Sequence, residues 1–182
     1  MISVPNVLSF GRLLCVPVAI WLMLDGRWLA AFWIFIAAGV SDAIDGFIAK
    51  RFNARTEFGA YLDPLADKTL LVGTYLTLGW LGHIPAWLVI LVVFRDFLII
   101  GGALVVQVLT QSFRARPMMI SKVNTALQIA LVTLVLARLG YGFPDFGTTK
   151  VLVFATALTT ILSGGAYVVH WGRKLARIED YT

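Results

Sequence analysis

Charged residues are scarce in this chain of 182 residues: Asp, Glu, Lys and Arg make up 14% of it, whereas 59% is hydrophobic. Average soluble domains are about 25% charged and about 45–50% apolar. A soluble core of this length could not hide the apolar surface that a mean hydropathy of +0.86 implies. We therefore expect a chain whose solvent is lipid. We expect one domain over residues 1–182, since about 100–200 residues usually make one.

Cysteine and histidine are almost missing as well. The single cysteine, Cys15, excludes an internal disulfide and a cysteine-rich metal cluster. Only two histidines are present, and neither is close in sequence to the acidic residues discussed below. The net charge of +5 does not call for nucleic acid, because membrane topology and anionic lipid headgroups account for it.

Long apolar runs dominate what remains. A helix that crosses the ~30 Å hydrocarbon core needs about 20 mostly apolar residues, and such runs are too long and too continuously apolar for barrel strands. We therefore predict an all-α integral membrane protein, a bundle of six transmembrane helices. The six spans are residues 7–24, 28–49, 58–81, 85–110, 120–140 and 149–171.

Lysine and arginine are divided unevenly between the two ends of these spans. The 50–57 loop, the 111–122 loop and the C-terminal tail hold three each, whereas the opposite loops hold only Arg27, Arg138 and Lys150. The positive-inside rule places the more basic face in the cytoplasm. Both termini and the 50–57 hairpin are then cytoplasmic, as expected for a multi-pass protein of a cell inner membrane.

Half of the ten acidic residues fall within residues 41–68, and four of these five are aspartates on either side of the 50–57 hairpin. Asp45 lies nine residues before position 54 and Asp63 nine after it, while Asp42 lies twelve before and Asp67 thirteen after. At 1.5 Å per residue these pairs reach matching depths on neighbouring helices. The i,i+3 and i,i+4 spacings keep each pair on one helical face. We expect the four carboxylates to converge below the cytoplasmic surface.

Four carboxylates at one point in a membrane need compensation. Like charges at short range force some of them to protonate, unless a divalent cation binds them. Oxygen-only ligands suit Mg²⁺, Mn²⁺ or Ca²⁺, and two such ions can clamp a phosphoryl group. One alternative is a set of interfacial helix-end residues paired with Lys50, Arg51 and Arg55. Another is a divalent cation transporter, whose carboxylates should lie near the midplane with a path to both faces.

Written out from Asp42 to Asp67, the stretch reads D-x2-D-G-x2-A-K-x8-G-x3-D-x3-D. It resembles the signature of the CDP-alcohol phosphatidyltransferases at seven of eight fixed positions. The one departure is Lys50, where the family has arginine, so that the charge is kept but the planar bidentate fork is lost.

The resemblance implies an enzyme of phospholipid biosynthesis. Such enzymes bind CDP-diacylglycerol, an acceptor hydroxyl attacks the β-phosphorus, and CMP leaves. The resemblance implies that Asp42, Asp45, Asp63 and Asp67 hold two divalent cations, Mg²⁺ or Mn²⁺, over the pyrophosphate. Asp67 is implied also to be the base for the acceptor hydroxyl. A homodimer is the assembly that the resemblance suggests.

The pocket for CDP is assigned by the same resemblance to Gly46, Lys50 and Gly59. Two residues near the N-terminus are further candidates for a contact with the nucleotide. Arg12 lies six residues into the first span, where the alternative is that it snorkels to lipid headgroups. Asn6 has a helix-start role as its alternative.

The acceptor is indicated by segments outside the signature. Residues 4–13, 84–100 and 120–132 are most similar to the CMP-forming cardiolipin synthases, which join CDP-diacylglycerol to phosphatidylglycerol. The alternative is a phosphatidylglycerophosphate synthase, which uses glycerol 3-phosphate and shares the signature.

Two basic residues are candidates for binding the phosphate of either acceptor. Arg95 lies ten residues into the fourth span, where a lone charge is costly, and Lys122 opens the fifth span. The alternative for Arg95 is a structural ion pair with the adjacent Asp96.

Overall fold

The protein is described by a computed structural model that covers the backbone of residues 4–52, 57–110 and 118–179 and the side chains of residues 11–41, 68–102 and 118–172. These ranges contain six helices and no strand, which confirms the predicted all-α architecture for them. Each helix matches a predicted span to within a few residues, except that α6 continues past residue 171. The helices are α1 (Val4–Leu24), α2 (Trp28–Phe52), α3 (Glu57–Trp80), α4 (Ala86–Thr110), α5 (Met119–Tyr141) and α6 (Thr148–Glu179).

Glycines end two of these helices where the sequence predicts breaks. Gly26 follows α1 in the left-handed region, at φ 73°. The Arg27 N–H donates to the Leu22 carbonyl at 2.8 Å and the Gly26 N–H to the Met23 carbonyl at 3.2 Å. This is the Schellman arrangement, which satisfies carbonyls that the helix end leaves open. Gly82, at φ 76°, ends α3 with the same pair of bonds.

The first of two compact units comprises Met1–Ile84 and Val132–Phe146. In it α1 packs against α2 and α3, and α2 also contacts α3. Met23 on α1 and Tyr75 and Leu78 on α3 are almost completely buried. Helix α1 packs closely on α3 at Gly73, where an added β-carbon would lie 3.2 Å from Ile20 Cδ1.

The second unit comprises Pro85–Leu131 and Gly147–Thr182. Its helices α4 and α6 pack together. Gly102 lets them approach, since a β-carbon there would lie 1.9 Å from Cζ3 of Trp171. Helix α5 contributes residues to both units. The expectation that residues 1–182 form one domain stays a prediction.

Large apolar side chains are exposed on many helices of the described part. Examples are Trp80 at 85%, Phe97 at 71% and Ile90 at 68% exposure. Soluble monomers rarely expose extended apolar patches. Within the described residues, Met119–Tyr141 and Thr148–Gly172 are long and apolar enough to cross a membrane.

Candidate active site

The buried charge of the second unit is an ion pair between neighbours on α4. The side chains of Arg95 and Asp96 are 3% and 4% exposed, and Nη1 of Arg95 donates to Oδ1 of Asp96 at 2.7 Å. Adjacent helical residues do not normally face each other, so the long arginine side chain must fold back to reach the carboxylate. The structure therefore contains the ion pair that was the alternative reading of Arg95.

Two serines complete the environment of this guanidinium. The Ser163 hydroxyl on α6 accepts from Nη2 of Arg95 at 2.6 Å and from Nε at 3.3 Å. The Ser121 hydroxyl on α5 accepts a second hydrogen bond from Nη2. We call Arg95, Asp96, Ser121 and Ser163 the arginine clamp. It joins α4, α5 and α6 through one buried cation.

A second polar contact between α5 and α6 lies next to the arginine clamp. The amide of Asn124 is completely buried, and its Oδ1 lies 2.9 Å from the Thr159 hydroxyl and 2.8 Å from the Thr160 hydroxyl. Both hydroxyls also lie within 3.0 Å of a carbonyl one turn back on α6, to which each can donate its only proton. With the amide rotated by 180°, Nδ2 can donate one hydrogen bond to each hydroxyl. This hydrogen-bond pattern favours the rotated orientation of the amide.

The start of α5 makes a further hydrogen bond to α6. The Met118 N–H donates to the Tyr167 hydroxyl at 3.4 Å, and the Tyr167 ring packs on Trp171 with centroids 5.3 Å apart. Lys122 follows Ser121 directly, and its side chain is exposed. The ammonium of Lys122 forms no ion pair with any described residue. This end of α5 therefore presents an exposed cation on an anchored helix.

Most of the predicted nucleotide and metal residues lie outside the described side chains. Arg12 is within them and is buried, at 3% exposure, in the first unit. The backbone of the signature aspartates lies on α2 and α3, which contact each other. The predicted residues that lie outside the described side chains are Asn6, Asp42, Asp45, Gly46, Lys50, Gly59, Asp63 and Asp67.

The metal prediction stays a prediction that rests on donor chemistry, because the four aspartates lie outside the described side chains. Within residues 11–41, 68–102 and 118–172, no group of three His, Cys, Asp or Glu side chains could hold a metal ion. The four aspartates of the signature offer only carboxylate oxygens, which fit Mg²⁺ and Mn²⁺. Two of them are on α2 and two on α3.

Comparison with known proteins covers the aspartate signature and most of the chain around it. Residues 2–163 match the family described as CDP-alcohol phosphatidyltransferase. This chain belongs to the CDP-alcohol phosphatidyltransferase family. The resemblance drawn from Asp42 to Asp67 is thereby confirmed.

Relatives of this chain carry both of the names expected from the sequence. A cardiolipin synthase (CMP-forming) from Rattus norvegicus is 34% identical over 97% of the chain and 63% of the relative. A CDP-diacylglycerol–glycerol-3-phosphate 3-phosphatidyltransferase from Bacillus subtilis is 31% identical over 92% of the chain and 94% of the relative. A chloroplastic enzyme of that second name from Oryza sativa subsp. japonica is 33% identical over 98% of the chain and 58% of the relative. The chain thus spans less than two thirds of the rat and rice relatives.

The sequence alone did not predict the two serines of the arginine clamp. Ser121, Asn124 and Gln128 recur at helical spacing on α5, and Thr156, Thr160 and Ser163 do so on α6. All of them except Ser121 are fully buried in otherwise apolar helices. Such paired polar stripes are typical of helix–helix contacts in membranes. Their helical spacing is the sequence feature that could have predicted a polar contact between α5 and α6.

Proposed function

We propose that this chain transfers a phosphatidyl group from CDP-diacylglycerol to a hydroxyl of phosphatidylglycerol, which forms cardiolipin and releases CMP. The observation that carries the proposal is the family match over residues 2–163, which includes the complete set of signature aspartates. The rat relative supports phosphatidylglycerol as the acceptor. Glycerol 3-phosphate is the second candidate, because the Bacillus subtilis relative that favours it is matched over nearly its whole length.

The membrane is part of this proposal. Exposed apolar side chains and the two stretches long enough to span a bilayer support embedding in lipid. The distribution of lysine and arginine supports cytoplasmic termini and a cytoplasmic site in a cell inner membrane. A homodimer is proposed from the family resemblance.

The aspartates are assigned the central chemistry. Asp42, Asp45, Asp63 and Asp67 would hold two divalent cations, Mg²⁺ or Mn²⁺, which when bound neutralise the diphosphate of the donor. Asp67 takes the proton of the acceptor hydroxyl while the oxygen of that hydroxyl bonds to the β-phosphorus. The bond from that phosphorus to the bridging oxygen breaks, and CMP departs with the bridging oxygen. A base needs only to accept the proton as the new bond forms.

Binding is divided between two sets of residues. The CDP moiety is assigned to Gly46, Lys50 and Gly59, with Asn6 and Arg12 as further contacts. Small residues at positions 46 and 59 let the backbone come close to the nucleotide. The burial of Arg12 means that any such contact would be made away from water.

The acceptor phosphate is assigned to the pair Lys122 and Arg95. Lys122 offers an exposed ammonium, which suits an anion arriving from outside the protein. Arg95 is buried and already donates to three side chains. In this assignment Lys122 contacts the acceptor phosphate from an exposed position, whereas Arg95 contributes from within the protein.

The test is a product assay on purified protein with CDP-diacylglycerol and Mg²⁺ or Mn²⁺. Parallel reactions contain phosphatidylglycerol or glycerol 3-phosphate, CMP is quantified, and the lipids are identified by mass spectrometry. Cardiolipin in the first reaction supports the proposal, and phosphatidylglycerophosphate in the second supports the other acceptor. A cation transporter releases no CMP, so an absence of CMP in both reactions would contradict the enzymatic assignment.

A further inference from the structure

The guanidinium of Arg95 has little capacity left for a ligand. It carries five N–H donors. Within the described residues it makes four hydrogen bonds: two to Ser163, one to Ser121 and one to Asp96. One N–H on Nη1 is left over. The charge is already balanced by Asp96, so this buried pair is a weak attractor for a phosphate that must come from outside.

Ser163 is the member of the arginine clamp that fixes the direction of the guanidinium. Its hydroxyl oxygen accepts from both Nε and Nη2, the two nitrogens on one edge of the planar group. A planar fork held along one edge cannot rotate without breaking both bonds. Nη2 is then aimed at Ser121, and Nη1 is aimed at Asp96.

Register between the two helices supports this arrangement. Ser121 on α5 lies level with Ser163 on α6, since Arg95 bridges the two hydroxyls. Three residues further along α5, Asn124 meets Thr160, which is three residues further back on α6. The two helices are therefore antiparallel here and in phase. The arginine clamp lies in the first turn of α5, one contact further in than the hydrogen bond from Met118 to Tyr167.

We propose that Ser163 is a positioning residue for the acceptor. It orients Arg95, which holds Ser121 and thereby the first turn of α5, where Lys122 presents its ammonium to the acceptor phosphate. Arg95 then acts through this helix rather than as the main phosphate ligand. This inference rests on the proposed function, because it assigns a determinant of acceptor binding within it.

Ser163→Ala is the direct test, with CMP release measured while each substrate is varied in turn. It removes two of the four hydrogen bonds to the guanidinium. A hydrogen bond to a charged group is strong enough that its loss typically changes binding about tenfold or more. We expect the KM for the acceptor to rise about tenfold, with kcat and the KM for CDP-diacylglycerol within about twofold of the original.

Two further variants separate positioning from simple stability. Ser163→Thr keeps the hydroxyl and should restore most of the acceptor affinity. Gly164→Ala is the matched control, because its β-carbon would lie 3.7 Å from Cγ of Arg95, an ordinary contact that breaks no hydrogen bond. It should leave both KM values unchanged. If Ser163→Ala does not fold, Ser121→Ala removes one bond of the arginine clamp and should raise the same KM by a smaller factor.

The outcomes distinguish this inference from the function beneath it. If the original protein releases CMP and Ser163→Ala lowers thermal stability without changing the acceptor KM, the serine is structural and the inference is wrong. Equal rises in both KM values would also overturn it. If the original protein releases no CMP with either acceptor, the proposed function fails, and the positioning role fails with it.

Discussion

Gly102→Ala is expected to destabilise the second unit, whereas the same change at the neighbouring Gly101 should not. A β-carbon at position 102 would lie 1.9 Å from Cζ3 and 2.3 Å from Cε3 of Trp171. Carbon atoms prefer about 3.5–4.0 Å, so the indole must rotate away or α4 and α6 must separate. At Gly101, apart from its chain neighbours and the backbone of its own helix, no atom of the described residues lies within 4 Å of the added carbon.

The magnitude follows from two opposing effects. Overpacking a well-packed site costs about 1–3 kcal/mol, and an overlap this deep belongs near the upper end. Alanine in place of glycine within a helix stabilises by about 0.5–1 kcal/mol. We expect Gly102→Ala to lose about 2 kcal/mol of unfolding free energy, and Gly101→Ala to gain up to about 1 kcal/mol.

The assay is thermal unfolding of the purified protein in detergent micelles, followed by near-ultraviolet circular dichroism. For a chain of this size about 2 kcal/mol lowers Tm by roughly 4–8 °C. Adding Trp171→Leu to the Gly102→Ala protein removes the overlapping ring and should recover part of the loss. Equal Tm values for the two alanine variants, or no recovery in the double variant, would refute the packing of α4 on α6 described above.

Three other expectations concern charge. Asp67→Asn should abolish CMP release while the protein stays folded, because the amide cannot accept the proton of the acceptor hydroxyl. Asp96→Asn should cost about 3–5 kcal/mol of unfolding free energy, since it leaves the Arg95 cation buried without its counter-charge, and adding Arg95→Met should recover part of this. Burial, and then the nearby Arg138 cation, lower the pKa of His83 below 6.5. The unfolded imidazole therefore takes up a proton at a higher pH than the folded one, and stability should fall as the pH drops below about 6.5.

Each of these expectations has an outcome that contradicts it. Near-normal CMP release by Asp67→Asn would remove this residue from the role of base. A loss below about 1 kcal/mol in Asp96→Asn, measured by denaturant titration, would mean that the ion pair is not needed to bury Arg95. For His83, the measurement is Tm as a function of pH, and an unchanged slope in His83→Gln would assign the pH dependence to another group.

The helices could be predicted because their determinants are local. Apolar runs of about 20 residues set their lengths, and Gly26 and Gly82 stop α1 and α3 by left-handed turns that other residues rarely adopt. The aspartate signature is local too, since its fixed positions lie within Asp42 to Asp67. Its spacing was enough to predict the family that the comparison confirms. The side-chain roles within it stay predictions.

The contacts of Arg95 could be predicted only in part, because they depend on distant residues. The sequence suggested Asp96 as a partner because it is adjacent. Ser163 is 68 residues away, and only the packing of α6 against α4 brings it to the guanidinium. The contact between Gly102 and Trp171 was missed for the same reason. Pairings across helices that are not neighbours in the chain require packing information that periodicity alone does not contain.

The surroundings of Lys122 bear on the choice between the two acceptors. Both acceptors carry a phosphate, so neither the ammonium nor the arginine clamp separates them. The side chains near Lys122 on α5 are apolar and exposed to solvent or lipid: Met119 is 74% and Val123 is 50% exposed. A water-soluble acceptor gains nothing from apolar side chains next to its phosphate site, whereas the acyl chains of phosphatidylglycerol can bury against them. The start of α5 is therefore compatible with the proposed lipid acceptor, and the product assay distinguishes that acceptor from glycerol 3-phosphate.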